Sequence, residues 1–106
     1  MRFLVLSDIH GNIDALDAVI ARAPRDSYDR LLVLGDLVGY GGTPNEVVDR
    51  IFDLNPDVII RGNHDKVAAG IESTDKFNRI AAEAARWTQD ALSSENRKRV
   101  AGLPAG

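Results

Sequence analysis

The sequence predicts an α/β domain with three mainly parallel strands and flanking helices, on two observations. Three short apolar runs, Phe3-Leu4-Val5-Leu6, Leu31-Leu32-Val33-Leu34 and Val58-Ile59-Ile60, are continuous rather than alternating. That pattern suits parallel strands covered on both faces. Between the runs lie segments with helical periodicity, so the order reads βαβαβ.

The first strand is placed near residues 2–7. Ile13, Leu16, Val19, Ile20 and Ala23 then form the apolar stripe of a helix that Pro24 closes. The second strand lies near 30–35. The helix after it has a start signal, with Thr43 as cap, Pro44 at the first helical position and Glu46 completing a capping box. Its stripe is Val47, Val48, Ile51 and Leu54, and Asn55-Pro56 stops it. The third strand lies near 57–61, and residues 65–106 are expected to be mostly helical. Phe77, Ile80, Ala81, Ala84, Ala85, Thr88, Ala91 and Leu92 trace one face of a long helix beginning near Ser73 or Thr74. Trp87 belongs with this helix face, packing on a core. Ser94 caps a short helix through Val100, ended by Gly102 and Pro104. These helices barely supply the cover that the three continuous runs predict.

A chain of 106 residues is one domain at most. Its 13 basic and 16 acidic residues are interspersed and give a net charge of −3, with no basic patch to attract nucleic acid. With no cysteine, disulfides and thiolate metal sites are excluded. The apolar N-terminal run is too short to span a membrane and lacks a signal-peptide cleavage pattern, so a cytoplasmic location is expected.

Each apolar run is followed at once by polar residues: Ser7-Asp8-Ile9-His10-Gly11-Asn12, then Gly35-Asp36, then Gly62-Asn63-His64-Asp65. Ligands of an open α/β sheet bind outside the carboxyl ends of its strands, so parallel neighbours would bring the three clusters to one rim. Asp8 and His10, two residues apart, both reach that rim if the chain stays extended past the strand. Mixed carboxylate, imidazole and amide ligands suit divalent manganese, iron, zinc, cobalt or nickel. Two such ions about 3.5–4 Å apart would clamp the attacking and leaving oxygens of a phosphate ester. Taken singly, Asp8 or Asp36 reads better as a turn or capping carboxylate, and Asn63 competes as a turn former after Gly62. His64 could simply hydrogen-bond Asp65 at the surface. Three clusters at three strand ends favour the metal. Gly39–Gly42 has no G-x-x-x-x-G-K-[ST] pattern and reads as a flexible loop, and no G-x-G-x-x-G follows the first strand.

The D-x-H, G-D and G-N-H-D blocks, each after a strand and spaced by roughly 25 residues, resemble the calcineurin-like metallophosphoesterase family. The string Gly35-Asp36-Leu37-Val38-Gly39-Tyr40-Gly41, followed by Pro44-Asn45-Glu46-Val47, is similar to a bacterial phosphoesterase subgroup, and the likeness extends to Trp87-Thr88. By this resemblance Asp8 and His10 bind a first metal, Asp36 bridges two metals and Asn63 binds the second. His64 is implied as the catalytic histidine at the phosphate or leaving-group oxygen, with Asp65 orienting it, and Asn12 and Tyr40 as substrate contacts. The implied activity is hydrolysis of phosphate mono- or diesters at a dinuclear site, by in-line attack of a metal-activated water. The implied fold is the N-terminal half of a four-layer sandwich.

The family pattern continues with an isolated histidine and a G-H-x-H block, whereas the only histidines here are His10 and His64. Residues 1–106 are therefore expected to be a truncated metallophosphoesterase domain. Alone, it should hold at most one metal firmly, turn over weakly or not at all, and self-associate through the exposed sheet or the helical segment 74–101. The alternative is a non-catalytic metal-binding or self-associating fragment. A phosphoaspartate role for Asp8 or Asp36 is disfavoured, because the first strand ends in D-x-H and not in paired aspartates.

Overall fold

In the computed structural model, which describes residues 1–105, β1 (Phe3–Leu6), β2 (Arg30–Val33) and β3 (Val58–Ile59) form a parallel sheet in that order. Leu4 lies opposite Leu31, Leu6 opposite Val33, and Val33 opposite Ile59. These residues share one face, because side chains alternate along each strand. Leu6, Leu31 and Val33 are buried there in one core with Val47, Val48, Ile51, Ala68, Leu92 and Val100. The other face is open. Phe3 is 57% exposed, Val5 50% and Val58 47%. Cover on both faces, expected from the continuous runs, is thus present on one only, and apolar side chains of the strands face solvent. β3 is shorter than its run: Ile60 still donates to the Val33 carbonyl, but Arg61 pairs in parallel with Ala105 and donates its N–H to the Pro104 carbonyl.

The first helix, α1 (Ile13–Arg22), is capped by Asn12, whose side chain accepts from the Ala15 N–H at 3.0 Å. A single 3₁₀ turn, Arg25–Ser27, leads to β2. The second helix, α2 (Pro44–Leu54), starts with Pro44 and ends at Asn55 in the left-handed region, as Asn55-Pro56 predicts. Its expected capping box is absent. The Thr43 hydroxyl instead donates to the Gly11 carbonyl at 2.6 Å and accepts from the Ile13 N–H at 2.9 Å. Thr43 thereby clips the entry of α2 to the entry of α1, a tertiary partner that local sequence does not reveal.

A short helix that the sequence did not announce, α3 (Asn63–Ala68), follows β3 directly. The long helix, α4 (Arg79–Ala91), begins later than Ser73 or Thr74. Its cap is Asn78, which accepts from the Ala81 N–H at 2.8 Å. The buried face of α4 is Ala81, Ala82, Ala85 and Thr88, while Ile80 is 75% and Trp87 50% exposed. The placement of Trp87 and Ile80 on the core face is corrected accordingly. The last helix, α5 (Ser94–Ala101), is capped by Ser93 rather than Ser94, and ends at Gly102. Asn45 locks the corner between these two helices: its Nδ2 donates to the Ala91 carbonyl, and its Oδ1 accepts from the Ser93 N–H and from Asn96 Nδ2.

Candidate metal centre

The loops after β1 and β2 are tied together by backbone. Asp8 N–H donates to the Gly35 carbonyl, His10 N–H to Asp36 and Gly11 N–H to Leu37. Sequence reasoning kept this stretch extended, but the chain takes a tighter course. Asp8, His10, Asp36 and Tyr40 all lie in the left-handed region, with φ of 57°, 52°, 53° and 70°. Non-glycine residues rarely adopt it, and clusters of such strain concentrate at functional sites. The kinked course turns Asp8 and His10 toward Asp36. One ligand atom from each of the three lies within 4.8 Å of the other two. Ligands on a common ion at bond lengths near 2 Å sit about 3–4 Å apart, so small side-chain rotations close the set on a cation.

Each donor is oriented from behind. The Ser7 hydroxyl donates to Asp8 Oδ2 at 2.7 Å and is the chief reason that the Asp8 carboxyl lies below its ordinary value. His10 Nε2 is 3.4 Å from Asp8 Oδ1, and its Nδ1 is 3.4 Å from the Val38 carbonyl oxygen. With the proton on Nδ1, Nε2 keeps the lone pair that a metal requires. Asp36 Oδ1 accepts the His64 N–H at 3.1 Å. Gly62 lies against this carboxylate so closely that a Cβ there would collide with Asp36 Oδ1.

His64 stands beside this cluster in a group of rings. Its centroid is 5.0 Å from both His10 and Tyr40, and 4.6 Å from Phe77. Its Nδ1 is buried without a hydrogen-bond partner among the described residues. Burial lowers the His64 pKa, partly offset by Asp36. The unfolded chain therefore binds the proton more readily than the folded one. Stability from this group is full above the unfolded value near 6.5 and is lost as pH falls below it. A metal-free thermal melting series from pH 7.5 to 5.5 should show declining stability, with a shallower decline in His64→Gln; equal slopes would show that His64 is not buried as a neutral ring.

Asp65 makes no hydrogen bond to the His64 ring among the described residues. It is fully buried, with Oδ1 accepting from the Val38 N–H at 3.1 Å and Oδ2 from the Gly62 N–H at 2.9 Å. Burial pushes its carboxyl pKa up, against the pull of these backbone donors. Because both residues sit on α3, where successive side chains diverge by about 100°, sequence neighbours face different surroundings. Asn63, exposed at the start of α3, lines a cavity with Phe77, and none of Asp8, His10 and Asp36 lines that cavity. Asn12 caps α1 and lines a second cavity, beside Asp8, His10 and Tyr40. Phe77 is the residue at the site that the sequence did not flag. Its apolar spacing assigned it to α4, and nothing local marks it as a partner of His64.

The profile of the family described as calcineurin-like phosphoesterase matches residues 1–103. An uncharacterized protein of Methanocaldococcus jannaschii is 44% identical over 100 residues, covering 94% of this chain and 41% of that protein. The crystal structure of a metallophosphoesterase from Sphaerobacter thermophilus superposes with a TM-score of 0.79 at 41% identity, covering 98% of this chain and 42% of that one. The chain thus spans less than half the length of either relative.

Proposed function

The chain belongs to the calcineurin-like phosphoesterase family, and on that premise we propose that it carries part of a dinuclear site hydrolysing phosphate mono- or diesters. The proposal is carried by one observation, the approach of Asp8, His10 and Asp36 within 4.8 Å at the carboxyl ends of adjacent parallel strands. In it, Asp8, His10 and Asp36 hold the first divalent ion, and Asp36 with Asn63 holds the second. Bound ions supply Lewis acidity to the phosphoryl group and lower the pKa of water. The chain's own groups do the rest. Neutral His64, with its proton on Nε2, donates to a phosphate or leaving-group oxygen, and the strained loops fix the backbone from which the ligand side chains rotate onto an ion. Tyr40 and Asn12 border the substrate.

Three ligands serve the first ion and two the second, and an amide oxygen is the weaker donor of the pair. We expect one firmly held metal per chain and weak turnover from residues 1–106. Elemental analysis paired with manganese-dependent phosphate release tests this. Two tight ions and robust turnover would mean ligands beyond the four positions named; no bound metal at all would sink the proposal.

A second reading, a metal-binding fragment that self-associates without turnover, is favoured by the open sheet face of Phe3, Val5, Leu34 and Val58. In the isolated chain this face should pair with another copy. Light scattering is expected to show mass rising with concentration, reduced by Val5→Glu. A strictly monomeric, cooperatively folding chain at high concentration would count against self-association.

A further inference from the structure

A cavity of about 340 Å³ opens at the start of α3, lined by Asn63, Glu72, Ser73, Asp75, Lys76 and Phe77. Its size falls within the range of small-molecule sites. We propose that this cavity is a leaving-group subsite that receives a planar, uncharged ring with a hydrogen-bonding edge, stacked on Phe77. This rests on the phosphoesterase reading above for the position of the phosphate, though the cavity itself does not.

Three observations converge on a ring. First, Phe77 packs against His64 with centroids 4.6 Å apart and planes tilted by 37°. The same phenyl group also lines the cavity, so it joins the histidine to the subsite without a gap. A leaving group attached to a phosphate at the Asp8–His10–Asp36 cluster and extending past His64 meets Phe77 next. Aromatic groups stack favourably on such a face. Second, the remaining lining is polar: Glu72 and Asp75 accept, Lys76 donates, and Ser73 and Asn63 do both. These groups match the edge of a heteroaromatic ring better than an alkyl chain. Third, two carboxylates against one ammonium leave the lining net negative. That repels further phosphates or acidic peptide, so any negative charge of the substrate belongs at the metal cluster and not here.

The loop forming the subsite is held in place. The Arg86 guanidinium donates to the Thr74 hydroxyl at 3.3 Å, the Phe77 N–H to the Thr74 carbonyl at 2.9 Å, and the Ile71 N–H to the Lys66 carbonyl at 3.0 Å. Phe77 is thus presented from a structured turn between α3 and α4, a favourable origin for specificity because little order must be gained on binding.

The test uses isotope-labelled chain titrated with adenosine and, separately, with ribose, which lacks the ring. Adenosine should shift the backbone amides of Asn63, Ser73 and Phe77, and ribose should not. Phe77→Ala should weaken adenosine binding at least tenfold, and Phe77→Leu by a smaller factor, with β1 and β2 amides unchanged as the check on folding. Manganese broadening of the Asp8, His10 and Asp36 signals is recorded in the same samples. Broadening without any adenosine response would overturn the subsite and leave the phosphoesterase proposal standing. An adenosine response without broadening would do the reverse. Equal responses to ribose and adenosine, or an unweakened Phe77→Ala, would also overturn the subsite.

Discussion

Replacing Asp36 with alanine is expected to remove bound divalent metal altogether. The carboxylate is one of three candidate ligands for the first ion and, as proposed, one of two for the second, so its loss leaves two donors and one. It also has a structural task, since Oδ1 accepts the His64 N–H. Asp36→Ala frees that donor at the start of α3, whereas Asp36→Asn keeps an oxygen acceptor while removing the charge. The two variants therefore separate ligation from folding. If ligation dominates, both lose metal while Asp36→Asn melts close to the parent. His64→Ala should behave oppositely in a form of the protein that turns over. It should retain metal and lose activity by about 10²–10⁴-fold, the range for a proton-transferring or oxygen-contacting group. Metal content by elemental analysis decides. An Asp36→Ala chain as rich in metal as the parent would place the ligands elsewhere.

The parallel sheet and the convergence of the clusters after β1 and β2 were legible because strand ends and metal-ligand residue types both leave a local mark. Phe3–Leu6 and Arg30–Val33 form strands within the predicted spans, and Asp8 and Asp36 follow them as expected. What local sequence did not carry is which of two surfaces wins. On α4, Ile80, Ala84, Trp87 and Ala91 form one apolar stripe and Ala81, Ala85, Thr88 and Leu92 its neighbour. Helix periodicity cannot rank them. The close approach of α4 to α3 favours the small residues, and the large ones stay outside. The kinks at Asp8, His10 and Asp36 were hidden for a different reason. None of these residues is a glycine, and their left-handed backbone is held by bonds to a loop about 27 residues away in sequence. Thr43 was misread in the same way, its hydroxyl preferring a tertiary partner over its own helix.

Asp65 is the sharpest case, because two roles for it predict opposite phenotypes. As an orienting group for His64, its removal would cost turnover and leave stability nearly intact. Its observed bonds imply the reverse. The carboxylate satisfies two backbone donors, Gly62 N–H before α3 and Val38 N–H in the loop after β2, and so fixes the helix carrying His64 against the loop carrying Asp36. Each buried donor left unpaired costs about 1–3 kcal/mol, so Asp65→Ala should destabilise the chain by about 2–6 kcal/mol. That is a large share of the roughly 5–15 kcal/mol that holds a domain of this size together. Asp65→Asn offers one oxygen acceptor and turns an amide donor toward the other N–H, so it should recover only part of the loss. The pH dependence has a definite sign. Burial raises the folded pKa of Asp65 above its ordinary 3.8. Its contribution is therefore fully present below 3.8 and is lost as pH rises through the folded value. The stability gap between the parent and Asp65→Asn should thus narrow as pH rises from 4 to 7. Urea unfolding of both variants across that range measures it. An Asp65→Ala chain that unfolds with the parent while losing only turnover would return Asp65 to His64.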